Sequence, residues 1–259
     1  MRAALQAIIT ALGSVLMLGA AAIAGRYLVI RRRTGGEVLL AEAIPVYSAY
    51  WREQRLKHGE LLYVAIGDSA AQGIGASRPW HSYVGVLAHF IRHKTDRTVR
   101  VVNLAQSGAR VREALESQLP HLAKLKPDIL TVSVGANDII EFDAERFERE
   151  IRKLFGALPR FAIVAEVPCF YFGESERRVR IANDIIRRIA GEHHLAVAPL
   201  YGMTRVRTAA RTALRDVAAD FFHPNDRGYI VWASAFEPHL TGALRRMKWA
   251  DAVSSPALT

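Results

Sequence analysis

The amino-acid sequence predicts a three-layer α/β/α sandwich built on a five-stranded parallel sheet and preceded by an N-terminal transmembrane helix. Three observations carry this expectation. Short β-branched runs alternate with amphipathic stretches from residue 61 to residue 247, a pattern of parallel strands joined by right-handed crossovers. Three of the runs end in polar, glycine-bearing tips, as strands do at the edge of an open α/β sheet where loops converge on one crevice. Residues 3–25 carry no charged side chain, a run just long enough to cross a hydrocarbon core as a helix rising about 1.5 Å per residue.

The chain has 259 residues, 51% of them hydrophobic, so one domain with an ample core fits behind the N-terminal segment. Residues 1–33 read as a membrane anchor with a basic flank, 34–59 as a tether containing Gly35-Gly36 and a short helical lead-in, 60–248 as the globular domain, and 249–259 as a tail. Arg26, Arg31, Arg32 and Arg33 outnumber Arg2 and the amino terminus, which assigns a single-pass protein with its body on the cytoplasmic side. A cleaved secretory signal, with Ala22-Ile23-Ala24 as its small-residue site and an exported body, is the other reading.

The body opens on Leu61-Leu62-Tyr63-Val64-Ala65-Ile66, an apolar strand that ends at once in Gly67-Asp68-Ser69. Ser69 therefore falls at a strand tip. Residues 82–91 repeat apolar side chains at helical spacing; residues 99–104 form a second strand closing in Ala105-Gln106-Ser107-Gly108-Ala109. A helix over 111–125 precedes the third strand, 129–134, whose composition buries it on both faces and whose tip is Gly135-Ala136-Asn137-Asp138. Helix 143–158, strand 161–167, helix 175–193 and strand 195–200 complete the alternation.

The net charge of +10 raises nucleic acid or an acidic membrane surface as partners. The basic residues are spread along the chain without aromatic interleaving or a nucleic-acid motif, so no specific nucleic acid is expected, and a bilayer reached through the N-terminal helix is. Arg177–Arg188 also reads as a solvated helix face. Cys169 is the one cysteine, so no disulfide forms within the chain, and at a strand end it reads as a small buried hydrophobe. No Cys/His cluster has zinc spacing, and neither metal nor cofactor is expected.

Near the C-terminus Asp220-Phe221-Phe222-His223 precedes a helix over 226–247. A spacing of three lets the carboxylate stand beside the imidazole. Serine is a poor nucleophile until a base of near-neutral pKa takes its proton, and a carboxylate-held histidine is such a base. Four blocks now stand in order: Gly67-Asp68-Ser69, Gly108, Gly135-Ala136-Asn137-Asp138, and Asp220 with His223. In motif order and spacing, from about residue 61 to residue 244, the sequence resembles the SGNH hydrolase superfamily of GDSL-type esterases and lipases.

That resemblance implies a serine esterase acting on a small or lipid-like ester through an acyl-enzyme. Ser69 would attack, His223 would carry the proton and Asp220 would orient the imidazole. The N–H groups of Ser69 and Gly108 and the amide of Asn137 would form the oxyanion hole. Asp68 and Asp138 read as loop-holding carboxylates. A deacetylase or thioesterase on the same triad, or a non-catalytic basic module for membrane surfaces, are the alternatives.

Overall fold

The computed structural model describes the backbone of residues 2–206, 212 and 215–254. Five strands, β1 (Leu61–Gly67), β2 (Val99–Asn103), β3 (Ile129–Ser133), β4 (Ile163–Ala165) and β5 (Ala196–Ala198), form one parallel sheet in the order β2-β1-β3-β4-β5. Tyr63 in β1 pairs with Val101 on one side and Ile129 on the other. The chain leaves β1 towards one edge and returns from β2 to the opposite side of β1. Ligands bind at the carboxyl edge where the order reverses, because the loops there splay apart and open a crevice. Here that edge lies between β1 and β3.

The helices are α1 (Arg2–Gln54), α2 (Ser69–Gln72), α3 (Tyr83–Thr95), α4 (Val111–Glu113), α5 (Leu119–Leu122), α6 (Ala144–Gly156), α7 (Gly173–Glu192), α8 (Leu200–Arg205) and α9 (Asp226–Ser254). A π-helical stretch, Ala114–Gln118, joins α4 to α5. Alternation along β1 sends Tyr63 and Ala65 into a core with Tyr83, Leu87, Tyr229 and Phe236 of α3 and α9, and Val64 and Ile66 into one with Phe147, Ile151, Val179 and Ile186 of α6 and α7. Tyr83 and Phe236 stack with centroids 5.3 Å apart, tying α3 to α9. Local chemistry sets the helix ends. Ser82 caps α3 by accepting from the Gly85 N–H, and Asp143 caps α6 by accepting from Arg146.

The N-terminal transmembrane helix is a point of correction. Among the described residues no helix is long and apolar enough to cross a membrane. The physical reason is continuity: α1 runs unbroken past Arg26, Arg31, Arg32 and Arg33 to Gln54, so these charges lie within the helix and do not mark the end of an apolar one. The side chains of residues 1–16, on which much of the uncharged run falls, lie outside those described. With the span go the single-pass anchor, the membrane as a partner and the cytoplasmic side assigned from Arg26 and Arg31–Arg33. The stretch expected to be a tether is helical as well. Gly36 serves close packing there, since a Cβ would fall 2.6 Å from the Ala219 carbonyl carbon and 2.7 Å from the Asp220 nitrogen. Of the expected tail, 255–259 lie outside the described residues, as do 207–211 and 213–214 of the basic C-terminal region.

Candidate active site

At the end of β1 the backbone turns in a tight space. A Cβ on Gly67 would meet the Ser133 carbonyl oxygen and the Ala71 Cβ, each at 2.7 Å. The Gln118 amide, aimed inward from the π-helical stretch, pairs with both the N–H and the C=O of Gly67, at 2.9 and 2.8 Å. Buried Asp68 then caps α2 by accepting from the Ala70 N–H at 2.9 Å, and Gly73, at φ 91°, closes its last turn. Ser69 is the first residue of this short helix. Its hydroxyl is thus held by a strand end, a cap and a glycine that only this local sequence supplies.

The Ser69 Oγ lies 2.8 Å from the His223 Nε2, and the His223 Nδ1 lies 2.6 Å from the Asp220 Oδ2. With Nδ1 donating to the carboxylate, Nε2 carries the lone pair and accepts the serine proton. The other Asp220 oxygen accepts from the backbone N–H groups of Phe222 and His223, both at 3.1 Å. Burial works to raise the Asp220 pKa, but the His223 hydrogen bond, its charge and those two N–H donors outweigh it and hold the carboxyl below its usual range. Asn225 anchors the segment from behind: its amide donates to the carbonyls of Arg215 and Val217, and its oxygen accepts from Arg227 and Gly228.

Asn137 opens a short helical turn after β3, and its amide donates to the Ala109 carbonyl at 3.0 Å. This bond ties the tip of β3 to the loop that holds Gly108. Gly108 has φ 78°, and a Cβ there would meet nothing within 4 Å, so glycine is required by conformation and not by crowding. Ser69, His223 and Asn137 line one cavity of about 530 Å³; Gly108 stands outside its wall. Ile140, Phe170, Phe222, Val231 and Trp232 supply apolar wall. Among the described residues no three His, Cys, Asp or Glu side chains converge as a metal site.

Several residues that shape the site left no signal in the sequence. Gln118 is one. Glu176, just before the stretch read as a solvated face, is buried and accepts from the backbone N–H groups of Phe170 and Tyr171 and from the Tyr201 hydroxyl, fixing the loop that walls the cavity. Cys169 in that loop is buried, and burial pushes its thiol up to about 11, so it remains an unreactive neighbour of Glu176. Ser77, His81 and Asp226 form a second serine–histidine–aspartate cluster, but both Ser77 Oγ and His81 Nδ1 point at the same Asp226 oxygen, at 2.6 and 3.0 Å. That geometry clamps a loop onto the start of α9.

Asp138 is buried and accepts from the Val111 N–H at 3.1 Å, yet burial outweighs this bond and lifts its carboxyl to about 6. An unfolded aspartate titrates near about 3.9, so between about pH 4 and 6 the folded state binds more protons and stability rises as pH falls. Asp138→Asn keeps an acceptor for Val111 and removes the titration. We expect it to stabilise the protein at pH 8 by about 1–3 kcal/mol and to flatten the slope between about pH 6 and 4, measured by urea unfolding at each pH. A loss of stability at pH 8 would mean that the ionised carboxylate is itself needed.

A hydroxyl, imidazole and carboxylate in hydrogen-bonded series at the carboxyl edge of a parallel α/β sheet define a serine hydrolase. Residues 65–231 match the GDSL-like Lipase/Acylhydrolase family, and the chain belongs to that family, as the order of its four blocks implies. It is an enzyme that hydrolyses ester bonds. Its fold is similar to that of LAE5, an alpha/beta hydrolase enzyme from the metagenome of Lake Arreo, Spain, at 24% identity and TM-score 0.58 over 73% of this chain and 99% of that one. It is also similar to a variant of Axe2, an acetyl xylan esterase from Geobacillus stearothermophilus (21%, TM-score 0.56, 70% and 94% covered). A third likeness is to the lipase/acylhydrolase from Enterococcus faecalis (19%, TM-score 0.57, 70% and 96%). At these identities the likeness is one of fold. No curated protein matches the sequence.

Proposed function

We propose that the enzyme cleaves carboxylic esters by acyl transfer to Ser69 and then to water, with His223 as the base and Asp220 as its orienting partner. The observation that carries this reading is the unbroken series Ser69 Oγ, His223, Asp220 at 2.8 and 2.6 Å. In the first half-reaction Ser69 Oγ bonds to the carbonyl carbon while His223 Nε2 takes its proton; the tetrahedral adduct collapses, the C–O bond to the alcohol breaks, and the proton passes to the departing oxygen. In the second, His223 deprotonates a water that attacks the acyl carbon, and the acid leaves as Ser69 recovers its proton. Water is consumed; the products are an alcohol and an acid.

The developing oxyanion needs donors that already point at it. An amide nitrogen carries two hydrogens, so the Asn137 side chain that gives one to Ala109 has a second to offer. Backbone N–H groups of Ser69 and Gly108 complete the hole in this reading. Asn137→Ala is expected to lower kcat about 100-fold or more with little change in KM, since the bond forms only in the transition state. Steady-state kinetics on a p-nitrophenyl ester measure it.

The cavity is far larger than an acetyl group requires and falls within the usual volume of a small-molecule site, about 300–1,000 Å³. Its apolar wall supports a longer acyl chain over the acetyl groups named for Axe2. Covalent labelling by a fluorophosphonate probe, lost in Ser69→Ala, tests the nucleophile without assuming a substrate. Labelling that persists in Ser69→Ala would refute the assignment.

A further inference from the structure

The family match begins at residue 65, yet part of the cavity wall comes from well before it: Arg33 of α1 lines the same space as Ser69 and His223. Among the described residues it is the one Lys or Arg in that wall. Arg33 is held there by a docked helix. Gly36 abuts the backbone of Ala219 and Asp220, and the Arg32 guanidinium sits 4.9 Å from the ring centroid of Phe221, which lies between Asp220 and His223. Further along α1, the Tyr47 hydroxyl donates to the Ala76 carbonyl at 2.6 Å, and the Trp51 indole donates to the Gln72 carbonyl at 2.9 Å.

Arg33 donates through Nε to Glu37 at 2.9 Å. A guanidinium has five N–H donors in a planar fork, so its terminal nitrogens suit the paired oxygens of a carboxylate or phosphate. The apolar wall of Ile140, Phe170, Val231 and Trp232 suits an acyl chain, and the exposed arginine offers nothing to one. We propose that α1 is a built-in wall of the active site and that Arg33 selects esters whose alcohol part carries a carboxylate or phosphate. The inference rests on the ester-hydrolase reading of the cavity. It goes beyond it by assigning the charge of the alcohol.

The test compares kcat/KM of the full chain on 4-butanoyloxybenzoate, anionic on the alcohol side, with that on its neutral methyl ester. Arg33→Gln is expected to lower the anionic-to-neutral ratio about tenfold, the worth of one charge-assisted hydrogen bond. Arg33→Lys, which keeps the charge but not the fork, should keep part of the ratio, and added salt should erode it in the wild type because Arg33 is exposed. Arg31→Gln, on the same helix but outside the cavity wall, should leave the ratio where it is. A ratio unmoved by Arg33→Gln, a fall just as large in Arg31→Gln, or a fall confined to p-nitrophenyl hemiglutarate, whose charge is on the acyl side, would each overturn the proposal. Persistence of both activities in Ser69→Ala would instead defeat the underlying reading, so the two failures are told apart.

Discussion

Ser69→Ala is expected to reduce kcat on any accepted ester by about 10,000-fold or more while leaving the fold intact. In the proposed reaction the hydroxyl is the atom that bonds to the acyl carbon, and it is the group that meets His223 Nε2, at 2.8 Å. His223→Ala should cost a similar factor, because serine without its base is a neutral alcohol. The double variant should be scarcely worse than either single one. Residues that act as one unit are lost together, so the second substitution removes nothing the first has left working. The check is single-turnover and steady-state kinetics on the three variants, with urea unfolding to show that they fold. If the double variant were slower than the singles by the product of their effects, Ser69 and His223 would be acting independently and the 2.8 Å contact would be incidental.

Asp220→Asn is expected to cost about 1,000- to 10,000-fold in kcat with little change in KM. The carbonyl oxygen of the new amide would continue to accept from Phe222 and His223 N–H, which places its NH2 against His223 Nδ1. Nδ1 would then have to accept, the ring proton would move to Nε2, and Nε2 could no longer take the proton of Ser69. The electrostatics adds a stability signature. Because the folded Asp220 titrates below the ordinary carboxyl range, its pairing contributes stability that is fully present above about pH 4 and is lost as pH falls through the folded value. In Asp220→Asn that acid-side loss should be absent. A variant with near-normal kcat would show that Asp220 merely packs beneath the ring.

The chemistry of this site was legible because it is written locally. A strand run followed at once by Gly67-Asp68-Ser69 locates the serine at a sheet edge, and a spacing of three between Asp220 and His223 sets carboxylate and imidazole on one short turn. Asn137 follows a strand in the same manner. What escaped was carried by single polar residues whose partners lie far along the chain. Gln118 meets Gly67 across 51 positions, and Glu176 gathers a loop and a tyrosine on another helix, and neither leaves a periodic trace in the sequence. The reading of residues 3–25 and of the arginines after them failed because a composition window takes its ends from the charges themselves. In α1 the helix runs on past them and sets Arg32 over the Phe221 ring and Arg33 in the wall of the cavity.

By itself, then, the sequence determined the α/β alternation and nominated Ser69, Asn137, Asp220 and His223 as candidates, since these depend on hydrophobic period and on neighbours within a few residues. Strand order, the pinning of Asn137 by Ala109 and the arginine in the cavity wall were decided only on folding. They depend on which distant segments share a surface, and that is set by packing the whole sheet against its two helical layers.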